Sequence, residues 1–408
     1  MKINDIKKDI ETLAKYTSTP SSGVTRLPFT PEDKKAKEYI KRVMKEIGLK
    51  VMEDGVGTIF GKYKGLVHDA SAILIGSHYD TVKNGGAFDG VAGIAAALEV
   101  IRVLNRENIK TKHPIEIVAM NDEEGVRFEG GMLSSRAIVG DILEEELDTS
   151  KDENGISIRE AMKDFGIEPN LATAKREKNS IKAFLELHIE QGPILESKGK
   201  DIGIVENIVG LDIYKVIING KPGHAGTTPM NMRADALLAA SKAILKLNSI
   251  IKESDSDLVG TVGELIVLPG TANVIPGIVE FTIDIRSCKK KRIKEIMVKF
   301  EEILKEIEYD VGVKSSISKV FSLSPVKLSK EIIGLIEKEV SLLGYENLFM
   351  ISGAGHDAMV MAEHVPTGMI FVPSKDGISH TPDEWTDYEQ IRKGVEVLVN
   401  TIISIDND

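Results

Sequence analysis

Three short stretches hold the residue types from which a metal site is built. The first supplies His78, Asp80 and Asp89 within residues 73–100, ILIGSHYDTVKNGGAFDGVAGIAAALEV; the second is the adjacent pair Glu123 and Glu124; the third is His188, just ahead of Gln191-Gly192-Pro193. A neutral imidazole backed by one carboxylate and facing another across a glycine turn suits a divalent cation. Successive side chains of a strand point to opposite faces, so His78 and Asp80 can share one face, where the carboxylate would hold the imidazole in one tautomer. Asp89 would return to the same spot from the far end of the loop. Asn84-Gly85-Gly86 could instead cradle a phosphate, but GxGxxG is absent and no Gly-Lys-Ser/Thr follows. A plain structural turn accounts for this stretch as readily as a metal site does, and the rest of the chain has to decide.

The elements that would position these groups read as follows. The apolar run 73–75 ends at Gly76 and delivers His78 and Asp80, and an alanine-rich helical pattern opens at Asp89-Gly90. Residues 115–120 are a second short apolar run, so strand, helix and buried strand form a βαβ unit. That second strand ends in Asn121-Asp122-Glu123-Glu124-Gly125, at the carboxyl edge of a parallel sheet, where such folds place ligands. Adjacent glutamates are ordinarily a solvated acidic pair; here one can bind metal while the other takes a proton from water. His188 ends the strand 184–188, as a further ligand or as a core histidine bonded to backbone. The amphipathic patterns 5–16 and 31–47 predict helices, and 51–64 an antiparallel edge ribbon.

With 408 residues the chain exceeds the roughly 250–300 at which single cores stop growing, so two domains are expected. From residue 211 the texture changes. Strand-like 214–219, a turn-forming loop 221–229, a helix over 233–247, strands over 259–268 and 277–285 and a helix over 293–307 predict an inserted α+β domain. The fold class is therefore α/β: a main domain of residues 1–210 and 321–408, with a mostly parallel central sheet flanked by helices, and a smaller inserted domain of residues 211–320. In the last part a helix over 330–343, a glycine loop over 352–357 opening another helix, a strand over 367–372, the loop carrying His380 and a helix over 388–403 complete the main domain.

The net charge of −11 argues against nucleic acid or an anionic membrane as partner. No apolar run reaches the roughly 18 residues of a spanning helix, and the first sixteen residues lack the apolar core of a signal peptide. A single cysteine, Cys288, forms no internal disulfide and fits a reducing cytoplasm.

Taken in order, SHYDTVKNGGAFDG, NDEEGVRF, HIEQGPILE, GHAGTTPM with MRADAL, NVIPG with DIR, SGAGHDA and ISHTPDE resemble the metal-dependent amidohydrolases related to aminoacylases and di-zinc exopeptidases. More narrowly the chain is similar to the amidase/hydantoinase/carbamoylase branch, which contains N-carbamoyl-L-amino-acid hydrolases, allantoate amidohydrolases and ureidopropionases. The resemblance implies two divalent ions, zinc, manganese, cobalt or nickel, the first held by His78 and His188, the second by Glu124 and His380, with Asp89 bridging. It implies that Asp80 orients His78 and that Glu123 is the general base. His224, Asn273 and Arg286 of the inserted domain would contact a small ureido acid, with His224 donating to the developing oxyanion. Gln191, Gly355 and His356 would lie near the substrate. It further implies that the inserted domain acts as a lid and dimerisation domain, reaching the partner subunit's site in a homodimer. Alone, Arg286 reads better as a salt bridge with Asp284; with the resemblance, carboxylate recognition by its planar fork takes precedence. The expected reaction is hydrolysis of a ureido C–N bond, with an aminoacylase or dipeptidase as nearest rival and a silent scaffold as the rival of a different class.

Overall fold

The computed structural model describes residues 2–128, 130–254 and 257–407. Residues up to Glu206 and from Lys327 onward form the larger of two compact units, and Asn207–Val326 the smaller.

The larger unit is built on a nine-stranded sheet whose four middle strands are parallel, in the order Ile115–Met120, Ala72–His78, Ile181–Ile189, Thr367–Val372. The hairpin Lys50–Glu53 and Ile59–Tyr63 extends one side antiparallel, and Ile202–Ile208 the other. Every residue of Ala72–His78, Ile115–Met120 and Thr367–Val372 is buried. Strands covered on both faces have no use for polar alternation, which is why they read as mostly apolar runs; the carboxylate within them, Glu116, is buried against Arg176 at 2.7 Å and Lys62 at 3.2 Å. Because the four middle strands run the same way, the loops after His78, Met120, Ile189 and Val372 all leave from one edge of the sheet.

The helix Val91–Arg106 packs on the His78 strand and against the last helix, Tyr388–Asn407. Its small residues, Ala92, Ala95, Ala96 and Ala97, are fully buried, while Ile94, Leu98 and Ile101 join Ile73, Ile75, Leu187, Val372 and Leu398 in the main core. Residues 141–178 supply the short helices Glu144–Thr149, Ile158–Phe165 and Leu171–Ala174 around a separate apolar cluster that includes Phe29, Phe128, Leu147 and Met162. The strand Asn347–Ser352, which pairs with Ile202–Ile208, was absent from the sequence expectation, although its Leu-Phe-Met-Ile run carried the signal.

In the smaller unit Leu265–Leu268, Ile278–Ser287, Gly210–Asn219 and Lys314–Leu323 form an antiparallel sheet in that order. The helices Ala236–Lys252 and Lys290–Val311 close its core with Val216, Ile218, Phe281, Ile283, Phe300 and Leu304. The first helix starts three residues later than its periodicity suggests. Asp235 caps the N–H groups of Leu237 and Leu238 at 2.9 and 3.1 Å, and the Arg233 guanidinium is committed to the carbonyls of Ala225 and Thr228. The smaller unit also runs past residue 320, because Lys314–Leu323 pairs with Gly210–Asn219 from Lys314↔Asn219 to Leu323↔Leu211. Among the described residues no helix is long and apolar enough to cross a membrane.

Candidate metal centre

His78 is the last residue of its strand, and its Nδ1 lies 3.1 Å from the backbone carbonyl of Asp80. The carbonyl takes the Nδ1 proton and leaves Nε2 facing Asp89, at 3.7 Å, and Glu123, at 3.9 Å. The Asp80 carboxylate is further from the ring, 3.7 Å from Nδ1, and accepts the backbone N–H groups of Glu123 and Glu124, both at 3.2 Å. This corrects the expected geometry: alternation stops with the strand at His78, so Asp80 meets the ring through its carbonyl and clamps the peptide that presents both glutamates through its carboxylate.

Asp89 turns in beneath the imidazole because Gly90 follows it at φ 63°; a Cβ there would stand 2.5 Å from His78 Cε1. Its Oδ1 lies 3.1 Å from His188 Nε2, and its Oδ2 lies 3.0 Å from His380 Nε2. His188 is fixed in turn by the Ile189 carbonyl, 2.9 Å from Nδ1. The ligand atoms of His78, Asp89 and His188 lie within 4.8 Å of one another, and so do those of Asp89, Glu124 and His380. One carboxylate thus offers an oxygen to each of two ligand groups.

The electrostatics favour cations here. Burial pushes Glu124 up to about 7, with the Asp89 charge adding to it, and burial pushes Glu123 well above the usual carboxylate range. Burial acts on Asp89 in the same direction, but hydrogen bonds from His188, His380 and His78 prevail and hold it well below. The hydrogen bond to Asp89 is the main reason His380 is pushed up to about 9. Glu124 Oε1 is buried without a hydrogen-bond partner, which is costly unless a cation takes the lone pair. Imidazoles and carboxylates in these two groups fit divalent transition ions. Chelation is expected to lower the unfolding midpoint by several degrees, and added divalent ion to restore it, since a ligand at a hundredfold its Kd contributes about 2.7 kcal/mol. Thermal melts with and without chelator check this.

Gln191, at φ 57°, turns its amide onto this cluster, with Nε2 3.0 Å from Asp89 Oδ2 and 3.2 Å from His380 Nε2. His356 is only 2% exposed; its ring stands edge-on to His188 at 4.5 Å and its Nε2 is 2.9 Å from Ser352 Oγ. It touches a candidate ligand rather than open space. Gly355 precedes it, where a Cβ would come within 3.0 Å of Met132 Cε.

Within the smaller unit His224 is exposed, and its Nδ1 accepts the backbone N–H groups of Gly226 and Thr227 at 3.0 and 3.3 Å. Its proton is therefore on Nε2, which makes the ring a hydrogen-bond donor. Val274 pairs with His224, and the neighbouring Asn273 carbonyl accepts the Ala225 N–H at 3.0 Å. Arg286 forms the salt bridge to Asp284 that the sequence offered as the alternative, Nε and Nη2 each 2.9 Å from a carboxylate oxygen.

Glu186 and Glu384 are two of the buried carboxylates that sequence alone gave no role. Glu186 accepts Ser77 Oγ at 2.6 Å and the Ala358 N–H at 3.1 Å, wiring the His78 strand to the helix after His356. Its position two residues before His188, on the same strand face, was the available signal. Glu384 accepts the backbone N–H groups of Phe88 and Asp89. His113 and His364 are locally bonded, to the Ser71 carbonyl and Asp141, away from the cluster.

The sequence profile of peptidase family M20/M25/M40 matches residues 74–404. The chain belongs to this family. It is 42% identical to the N-carbamoyl-L-amino-acid amidohydrolase of Paenarthrobacter aurescens, over 98% of this chain and 97% of that protein. It is 37% identical to the allantoate amidohydrolase of Escherichia coli, over 96% and 95%. The crystal structure of an amidase of the hydantoinase/carbamoylase family from Burkholderia multivorans superposes with a TM-score of 0.93 at 36% identity, covering 100% of this chain and 98% of that one. Within M20/M25/M40 the chain thus falls in the amidase/hydantoinase/carbamoylase branch, and it is an enzyme of the metal-dependent amidohydrolase class.

Proposed function

We propose that the chain hydrolyses the ureido C–N bond of an N-carbamoyl-L-amino acid, releasing ammonia and carbon dioxide. The observation that carries the reading is the Asp89 carboxylate, one oxygen toward His78 and His188 and the other toward His380, with Glu123 beside His78. His78, Asp89 and His188 would hold one divalent ion and Asp89, Glu124 and His380 a second; availability decides among zinc, manganese, cobalt and nickel. Ions bound there would supply Lewis acidity and lower the pKa of a bound water. Glu123 would take a proton from the attacking water as the water oxygen bonds to the ureido carbon, then pass it to the terminal nitrogen, so that the C–N bond breaks and ammonia leaves. The carbamate that remains loses carbon dioxide to free the amine. His224 would donate from Nε2 to the carbonyl oxygen as it gains charge, and the Arg286 guanidinium, exchanging Asp284 for it, would receive the substrate carboxylate. Asn273, Gln191 and Gly355 complete the substrate contacts, and His356 backs His188. The reading includes a cytoplasmic homodimer in which His224, Asn273 and Arg286 serve the partner's site.

Allantoate hydrolysis is the second reading, favoured by the 37% identity to the Escherichia coli enzyme. An acyl amide substrate is third. The test is a panel of N-carbamoyl-L-amino acids, allantoate, 3-ureidopropionate and N-acetyl amino acids on metal-reconstituted protein. Ammonia release from one N-carbamoyl-L-amino acid should exceed amine release from its N-acetyl counterpart by more than about 10²-fold in kcat/KM, within the roughly 10⁴–10⁵ available to a site that hydrogen-bonds the terminal NH₂. A preference for the N-acetyl compound would replace this reading with an aminoacylase.

A further inference from the structure

We propose that Glu384 is a positioning residue for the second ligand group, fixing the separation between Asp89 and His380. The proposal rests on the two-ion reading above. Glu384 is 3% exposed. Its Oε1 accepts the backbone N–H groups of Phe88 and Asp89 at 2.9 and 3.0 Å, and its Oε2 accepts the hydroxyl of Ser379, the residue before His380, at 2.7 Å. Ser379 Oγ also accepts Gln191 Nε2 at 3.3 Å, and the same amide donates to Asp89 Oδ2 at 3.0 Å. Glu384, Asp89, Gln191 and Ser379 therefore close a ring around the shared carboxylate, joining parts of the chain 295 residues apart.

Two further observations show that the fold makes room for this strut. A Cβ on Gly86 would stand 2.2 Å from Glu384 Oε1, so the glycine turn before Asp89 is the slot that admits the carboxylate. The next residue, Trp385, stacks edge-on against Phe88 at 5.1 Å, docking the same two loops from the other side.

The dependence should be unequal between the two groups. His78 and His188 have side chains 2% and 1% exposed, each with Nδ1 held by a carbonyl. His380 is 50% exposed and adopts φ 58°, a conformation uncommon for a residue with a side chain. Its ring meets Asp89 Oδ2 at 3.0 Å and Gln191 Nε2 at 3.2 Å, and the Glu384–Ser379 link holds the residue just before it in the chain.

The experiment titrates chelator-stripped protein with Mn²⁺ by calorimetry and records the melting point of the stripped form. Glu384→Ala should weaken the second ion about 10–100-fold, the usual effect of losing a residue that orients a ligand, and leave the first within about threefold. Glu384→Gln, which keeps an acceptor for the two N–H groups, should recover most of that loss. Ser379→Ala cuts the link on the other side without leaving buried N–H groups unpaired and should weaken the second ion alone. Asp406→Ala is the control: that carboxylate likewise accepts two backbone N–H groups, of Lys112 and His113, at the end of the strand Ile115–Met120 opposite to Glu124, and its loss should lower the melting point with both ion affinities intact. Unchanged or equally weakened affinities in Glu384→Ala and Ser379→Ala would overturn the proposal. A wild-type protein that takes up only one ion overturns the two-ion reading, and this proposal with it.

Discussion

Glu123→Gln is expected to retain both ions and to lose about 10²–10⁴-fold in kcat, the range supplied by a positioned acid-base group, with little change in KM. The substitution keeps the shape of the side chain and leaves its backbone N–H on Asp80 untouched. Glu123 lies 3.9 Å from His78 Nε2, and its ligand atom falls with those of His78 and Glu124 within 4.8 Å, so the ion content of the variant decides between base and ligand. Burial raises its proton affinity, the neighbouring Glu124 charge adds to this, and His78 opposes it. A carboxylate so placed accepts a proton from water and gives it back to a leaving nitrogen; an amide does neither. Steady-state kinetics beside elemental analysis of the same sample separate this from loss of metal. A kcat within tenfold of wild type at full ion content would assign the base to another residue.

Much of the proposed site was legible because its candidate residues sit where local sequence is most informative. His78, Glu123 and Glu124 follow short, mostly apolar runs and His188 ends an alternating strand, patterns that a sheet covered on both faces makes readable. What stayed hidden acts through the backbone or across long separations. The Asp80 carboxylate binds two peptide N–H groups more than forty residues on, and nothing in the spacing of His78 and Asp80 announces that. Glu384 was visible only as a letter in a motif, since its partners are main-chain groups near Gly86, a turn that reads as punctuation. Its neighbour His380 entered the ligand set through family resemblance, because a histidine in an exposed loop has no periodic pattern to place it. The break between the units fell after residue 320 for a similar reason: pairing of Lys314–Leu323 with Gly210–Asn219 spans about a hundred residues, and exposed polar positions along it hide the strand.

Asp89→Ala should reduce activity below that of Glu123→Gln, by more than about 10⁴-fold, because it removes a ligand from both groups rather than one proton acceptor. The two oxygens are not equivalent. Oδ1 faces His188 and His78, and Oδ2 faces His380 and Gln191. Asp89→Asn therefore leaves one carbonyl oxygen for one group and turns a donor toward the other, so it should hold at most one ion tightly where the alanine variant holds neither. Titration calorimetry gives the number of ions for each variant. Thermal melts give an independent reading: the rise in midpoint on adding divalent ion should shrink in Asp89→Asn and vanish in Asp89→Ala. Should the alanine variant take up two ions with wild-type affinity, Asp89 would not be a shared ligand, and the two groups would be separate sites with no common carboxylate to hold a reacting water between them.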